Sequence, residues 1–107
     1  MKPIEKEVCT FTDDDKEMLI RILTDHLPVL RAHLGLSQED VSKVIGISRQ
    51  TYSSIETKKR KMTWNTFLSL ILFWGCNEST AVMLDHMGVL SPELNDFLSQ
   101  NKRREWK

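Results

Sequence analysis

Residues 37–56 read SQEDVSKVIGISRQTYSSIE, two short segments meeting at Gly46, one of only four glycines in the chain. A helix end often requires a residue in the left-handed conformation, which glycine adopts without steric cost. Ser37 stands where it can cap the first segment, with Asp40 three residues on in the place of a capping-box partner. Val41, Val44 and Ile45 then form the buried side of a helix ending at Gly46. Ser48 caps a second helix over residues 49–56, in which Tyr52 and Ile55, three apart, face the core.

Outward from this pair the chain reads as helical throughout. Thr12 precedes three aspartates, which complement the free amides and positive dipole end of a helix start, so a helix is predicted over 13–25. Pro28 lacks an amide hydrogen and disfavours a helical residue before it, which predicts a break or kink near His26 before a second helix running to Leu34. Gly35 ends that helix. Thr63 opens a longer helix in which Phe67, Leu70, Ile71 and Trp74 follow the i, i+3, i+4, i+7 pattern of a core-facing stripe. Trp64, Leu68 and Leu72 form a second stripe beside it, which another helix or a second subunit must cover. NESTAVMLDHMG reads as a capped helix ending at Gly88, and SPELNDFLSQNKRR as its hairpin partner with Pro92 at its first position. The organisation predicted is one all-α domain over 1–107, with a core at 27–75, an extra helix at 13–25 and a C-terminal helical hairpin at 77–101.

Formal charge is zero, yet it is unevenly spread. Residues 1–41 hold five basic and nine acidic groups, a balance of −4, whereas residues 42–74 hold six basic groups against Glu56 alone, a balance of +5. A polyanion meets that local field, not the total. Two isolated cysteines, Cys9 and Cys76, with no C-x-x-C spacing and no secretory signal, predict a reducing cytoplasm and no disulfide. The longest apolar stretch, residues 67–76, is far short of the roughly 20 residues a membrane span needs. His26, His33 and His86 are scattered without a ligand partner at i+3 or i+4, so neither a metal nor another cofactor is expected. No glycine-rich phosphate loop, catalytic carboxylate pair or Cys/His arrangement suggests an enzyme.

Two short helices joined by a three-residue turn fit the helix-turn-helix pattern, whose second helix enters the DNA major groove. With Tyr52 and Ile55 inward, Arg49, Gln50, Ser53, Ser54 and Thr57 point outward at about 100° per residue. Arginine can bridge the two acceptors of guanine, and glutamine the donor and acceptor of adenine, at about 1–3 kcal/mol of discrimination each. Ser48 and Thr57 flank that face, and Lys58, Lys59, Arg60 and Lys61 follow it as candidates for the phosphate backbone.

The stretch GLSQEDVSKVIGISRQTYSSIETKKRK resembles the helix-turn-helix of the phage-repressor-like, XRE-type family of bacterial DNA-binding regulators. The resemblance spans about 27–75 and implies a lambda-repressor-like five-helix core, dimeric on a palindromic operator. It places Gln38 on a phosphate, Arg49, Gln50 and Ser54 at base-reading positions, and Arg31 with Glu56 in a structural ion pair. Lys58 departs from the family's usual glycine, which predicts a loop of different shape, and Met62 replaces a common proline. The candidate dimer surface is Trp64, Leu68 and Leu72 with Met83, Met87 and Leu90 of the hairpin. A repressor homodimer on double-stranded DNA is the leading expectation. A DNA-binding antitoxin holding a protein partner, or a protein-interaction module that retains the fold, are the alternatives.

Overall fold

The computed structural model describes residues 11–90, which form five helices: α1 (Asp13–Leu34), α2 (Gln38–Ile45), α3 (Arg49–Glu56), α4 (Trp64–Gly75) and α5 (Glu78–Met87). The outer helix of the C-terminal hairpin, the NKRREWK tail and Cys9 lie outside the described residues. Among the described residues there is no strand, and no helix is long and apolar enough to cross a membrane.

α1 begins on a reciprocal cap. The Thr12 hydroxyl accepts from the Asp15 amide at 3.1 Å, and the Asp15 carboxylate accepts from the Thr12 amide at 3.2 Å. The helix then continues unbroken to Gly35, so the separate helix predicted over 13–25 does not exist as such. Pro28 lies inside it, exposed to solvent. The reason is one of magnitude. An interior proline costs a helix about 3 kcal/mol. Leu23, Leu27 and Leu30, on either side of it, are each 0% exposed, and burying one leucine is worth about 1.5–3 kcal/mol. A break between them would forfeit more burial than the proline costs.

α2 departs from expectation at one position. Val41 is fully buried, but Val44 is 61% exposed and Ser42 takes its place in the interior, its hydroxyl donating to the Glu39 carbonyl at 2.9 Å. α2 packs against both α3 and α4, so its inward arc spans residues 41, 45 and 42, and residue 44 falls about 60° beyond its edge.

α4 forms the floor of the core. Phe67, Leu70, Ile71 and Trp74 are all buried, together with Met62 from the preceding loop. α5 is fastened to the end of α4 by Thr80, whose buried hydroxyl donates to the Trp74 carbonyl at 2.5 Å. The indole nitrogen of Trp74 is buried and has no hydrogen-bond partner among the described residues. α1 lies across α3, α4 and α5, so a single long helix clamps the helix pair of residues 38–56 to the rest of the molecule.

Candidate nucleic-acid interface

The turn between α2 and α3 is built on the glycine at its centre. Gly46 has φ of 83°, and a Cβ built there would meet nothing within 4 Å, so glycine is favoured there by backbone conformation and not by space. The amides of Gly46 and Ile47 both donate to the Ser42 carbonyl, at 2.9 and 3.0 Å, closing α2. Ser48 then starts α3, its hydroxyl accepting from the Thr51 amide at 3.0 Å.

α3 divides sharply. Tyr52, Ile55 and Glu56 are buried, whereas Arg49 and Gln50 are exposed at its first turn and their side chains bond nothing among the described residues. Ser53 and Ser54 are half-buried on the flanks of that exposed face, and Ser48 and Thr57 are exposed at its two ends. The Thr57 hydroxyl donates back to the Ser53 carbonyl at 2.8 Å.

The buried edge of α3 carries a polar network. Glu56, with its side chain 4% exposed, accepts from Arg31 Nε at 2.9 Å and Arg31 Nη2 at 3.0 Å, a two-pronged ion pair linking α3 to α1. Tyr52 Oη donates to the same carboxylate at 3.1 Å, and Gln38 Nε2 at 2.5 Å. Arg31 Nη1 donates onward to the Leu36 carbonyl at 3.0 Å. Burial alone would raise the Glu56 pKa, but Arg31, Gln38 and Tyr52 together hold it below the ordinary carboxylate range. The same burial, with the Glu56 charge beside it, pushes the Tyr52 hydroxyl up, and the bond to Glu56 raises Arg31 further. One carboxylate thus joins α1, α2 and α3.

The sequence suggests Gln38 for a phosphate, and its amide nitrogen turns inward to Glu56. Nothing in the residue pattern marks Gln38 or Tyr52 as partners of Glu56. The available signal is that a tyrosine at a core position brings a hydroxyl needing an acceptor.

After α3 the chain turns through Lys58, whose φ of 68° makes it the one non-glycine residue in the left-handed region among the described residues. The loop therefore keeps the conformation a glycine would give it, against the expectation of a different shape. Closure of the last turn explains this: the amides of Lys58, Lys59 and Arg60 donate to the carbonyls of Ile55, Ser54 and Ser54 at 3.0, 2.9 and 3.1 Å. A left-handed residue with a side chain costs about 1–2 kcal/mol, of which glycine's greater unfolded-state freedom would take back roughly half. Lys58→Gly should therefore be more stable than Lys58→Ala by about 0.5–1 kcal/mol, a few degrees in Tm, since both variants lose whatever the lysine side chain contributes. Equal melting temperatures for the two variants would show that the loop relaxes in another way.

Of the four basic loop residues, two are already engaged. Lys58 pairs with Asp25 at 2.7 Å and Lys61 pairs with Glu17, both acids on α1. Lys59 and Arg60 are exposed and form no ion pair among the described residues. Glu17 and Asp25 carry no motif signal, although the acidic balance of the first 41 residues is where such partners come from.

The residues suggested for a subunit interface are divided. Trp64 stacks on Phe67 with ring centroids 4.7 Å apart, is met at an angle by Phe11 at 5.3 Å, and lies 5.5 Å from the Lys16 ammonium, so this chain itself covers much of it. Leu68, Met83, Met87 and Leu90 are half-buried, and Leu72 is 55% exposed. Among the described residues no three His, Cys, Asp or Glu side chains gather as a metal site.

Residues 30–63 match the family model described as Helix-turn-helix, of the XRE, lambda-repressor-like type. No curated protein and no solved structure gives a significant match. The match covers the end of α1, all of α2 and α3 and the loop to α4, the segment that holds the turn, the outward face and the Arg31–Glu56 pair.

Proposed function

We propose, from the premise that residues 30–63 are an XRE-type helix-turn-helix of the kind carried by DNA-binding transcriptional regulators, that the chain is a sequence-specific repressor acting as a homodimer. The observation that carries this reading is the division of α3. Its inner edge is fixed by Tyr52, Ile55 and Glu56, and its outer edge offers Arg49 and Gln50 with no competing partner among the described residues. A side chain that bonds nothing at home loses no internal bond on meeting a base edge.

In this reading α3 lies in the major groove, Arg49 and Gln50 read bases, and Ser53 and Ser54 supply less selective contacts. Ser48, Thr57, Lys59 and Arg60 reach the flanking phosphates, joined by Lys58 and Lys61 when these leave their acidic partners. Gln38, whose Nε2 donates to Glu56, keeps its backbone amide at the start of α2, where a phosphate can meet the helix N-terminus. Two subunits on inverted half-sites about 34 Å apart, one turn of DNA, or a multiple of that, would exclude polymerase by occupancy. Leu72 on α4, with the half-buried Leu68, Met83, Met87 and Leu90, supplies the apolar surface for pairing. DNA as ligand agrees with the cytoplasmic setting that two isolated cysteines suggest.

Selection of bound duplexes from a random library at moderate salt tests the proposal. An enriched motif with inverted symmetry is the expected result, and about three neutralised phosphates per subunit would give a log–log salt slope near −5 for the dimer. An enriched motif without symmetry would remove the homodimer and keep the reader. If no motif is enriched, the protein-interaction reading takes its place.

A further inference from the structure

Glu17, Arg21 and Asp25 stand at four-residue spacing on one face of α1, about 12 Å from first to last. The loop after α3 runs along that face, with Lys58 at Asp25 and Lys61 at Glu17. Between the two ion pairs is a cavity of about 420 Å³, lined also by Ile20, Thr24, Arg21 and Arg60. Its lining sets Arg21, Lys58, Arg60 and Lys61 against two carboxylates, a basic excess that the carboxylates reduce by half. The pairs join residues 33 and 44 positions apart in sequence, so they exist only because the fold lays the acidic first segment against the basic one.

We infer that Glu17 and Asp25 are intramolecular counter-charges that compete with DNA phosphates for Lys61 and Lys58, lowering sequence-independent affinity so that base reading decides where the chain binds. This inference rests on the DNA-binding reading. All four side chains are roughly half exposed or more, so the pairs are exchangeable and a phosphate can displace either carboxylate. Exchange has a consequence for the surrounding ions. A lysine that moves from carboxylate to phosphate releases the phosphate's counterion but leaves two carboxylates to share Arg21, so a cation is recruited and little net ion release drives the step. The abandoned carboxylate also faces the DNA backbone with like charge. Lys61 and Lys58 hold the Glu17 and Asp25 carboxyls below their ordinary range, so both acids are ionised and competent to compete at neutral pH. The part of DNA affinity that these acids suppress is the part that carries no sequence information.

The test compares wild type with Glu17→Gln plus Asp25→Asn for binding to a random-sequence duplex across a salt series. The charge-matched control is Glu78→Gln plus Asp85→Asn on α5, and thermal melts verify that each variant is folded. The inference expects the α1 variant to show a salt slope steeper by about 2 per bound subunit, its affinity advantage growing roughly tenfold from about 200 to about 50 mM salt. The control should move neither by that amount. In a Lys58→Ala plus Lys61→Ala background the α1 substitutions should have no effect beyond the control's. If wild type binds DNA and the α1 variant behaves as the control, the counter-charge role is overturned and the DNA-binding reading stands. If only the α1 variant binds, both are supported. If neither binds any duplex at any salt, both fall.

Discussion

Arg31→Ala should lower stability by about 3–5 kcal/mol, the loss expected when a buried charge loses its ionic partner, and Tm by roughly 15–25 °C for a domain of this size. The size follows from what remains behind. Glu56, its side chain 4% exposed, would keep only Gln38 and Tyr52 as donors, two neutral groups against the burial that opposes its charge. Its pKa should rise accordingly. In wild type the folded value is depressed from 4.5, so the stabilisation is complete above that pH and is lost as pH falls through the lower folded value. The difference between wild type and Arg31→Ala should therefore be full at neutral pH and narrow in acid. Denaturant unfolding at several pH values measures it. A triple variant, Arg31→Met with Glu56→Leu and Tyr52→Phe, should recover most of the loss by replacing the network with apolar packing. A loss below about 1 kcal/mol for Arg31→Ala would mean that solvent screens the pair after all.

Arg49→Ala with Gln50→Ala should have the opposite profile, an unchanged fold and a lost preference. Both side chains are exposed and make no intramolecular bond among the described residues, so Tm should stay within about 2 °C. Two bidentate base contacts together account for about 2–6 kcal/mol of discrimination, a factor of about 30 to about 10⁴. The quantity to measure is the ratio of affinities for the selected site and a scrambled duplex at one salt concentration. That ratio should collapse, while affinity for the scrambled duplex falls only by the one charge per subunit that Arg49 supplies. If both affinities fall by the same factor, α3 holds the backbone and reads nothing.

Where the sequence is legible, local chemistry and burial agree. Thr12, Ser37, Ser48, Thr63 and Asn77 each cap the helix their position predicts, and Gly35, Gly46 and Gly88 each adopt positive φ at a helix end. The apolar stripe of α4 is buried as its spacing requires. Failures occur where tertiary packing outweighs a local signal. Pro28 is a strong local breaker, and three buried leucines override it. Val44 is apolar and helically spaced, yet the arc that α2 buries is fixed by the positions of α3 and α4, which one helix's pattern does not encode. The outward residues of α3 can be read because the inward ones fix their phase. The acids that meet the loop lysines cannot, since an ion pair across 33 or 44 residues leaves no periodic trace.

The division of α3 also bears on how such a chain can change over generations. Folding depends on Tyr52, Ile55 and Glu56 along one edge, and among the described residues the opposite edge contributes no side-chain bond at Arg49 or Gln50. Substitutions at positions 49 and 50 are therefore nearly invisible to stability and fully visible to whatever the helix reads. A lineage can explore new targets there without passing through unfolded intermediates, whereas a change at position 56 must be matched at positions 31, 38 and 52 before the chain folds as well as it did.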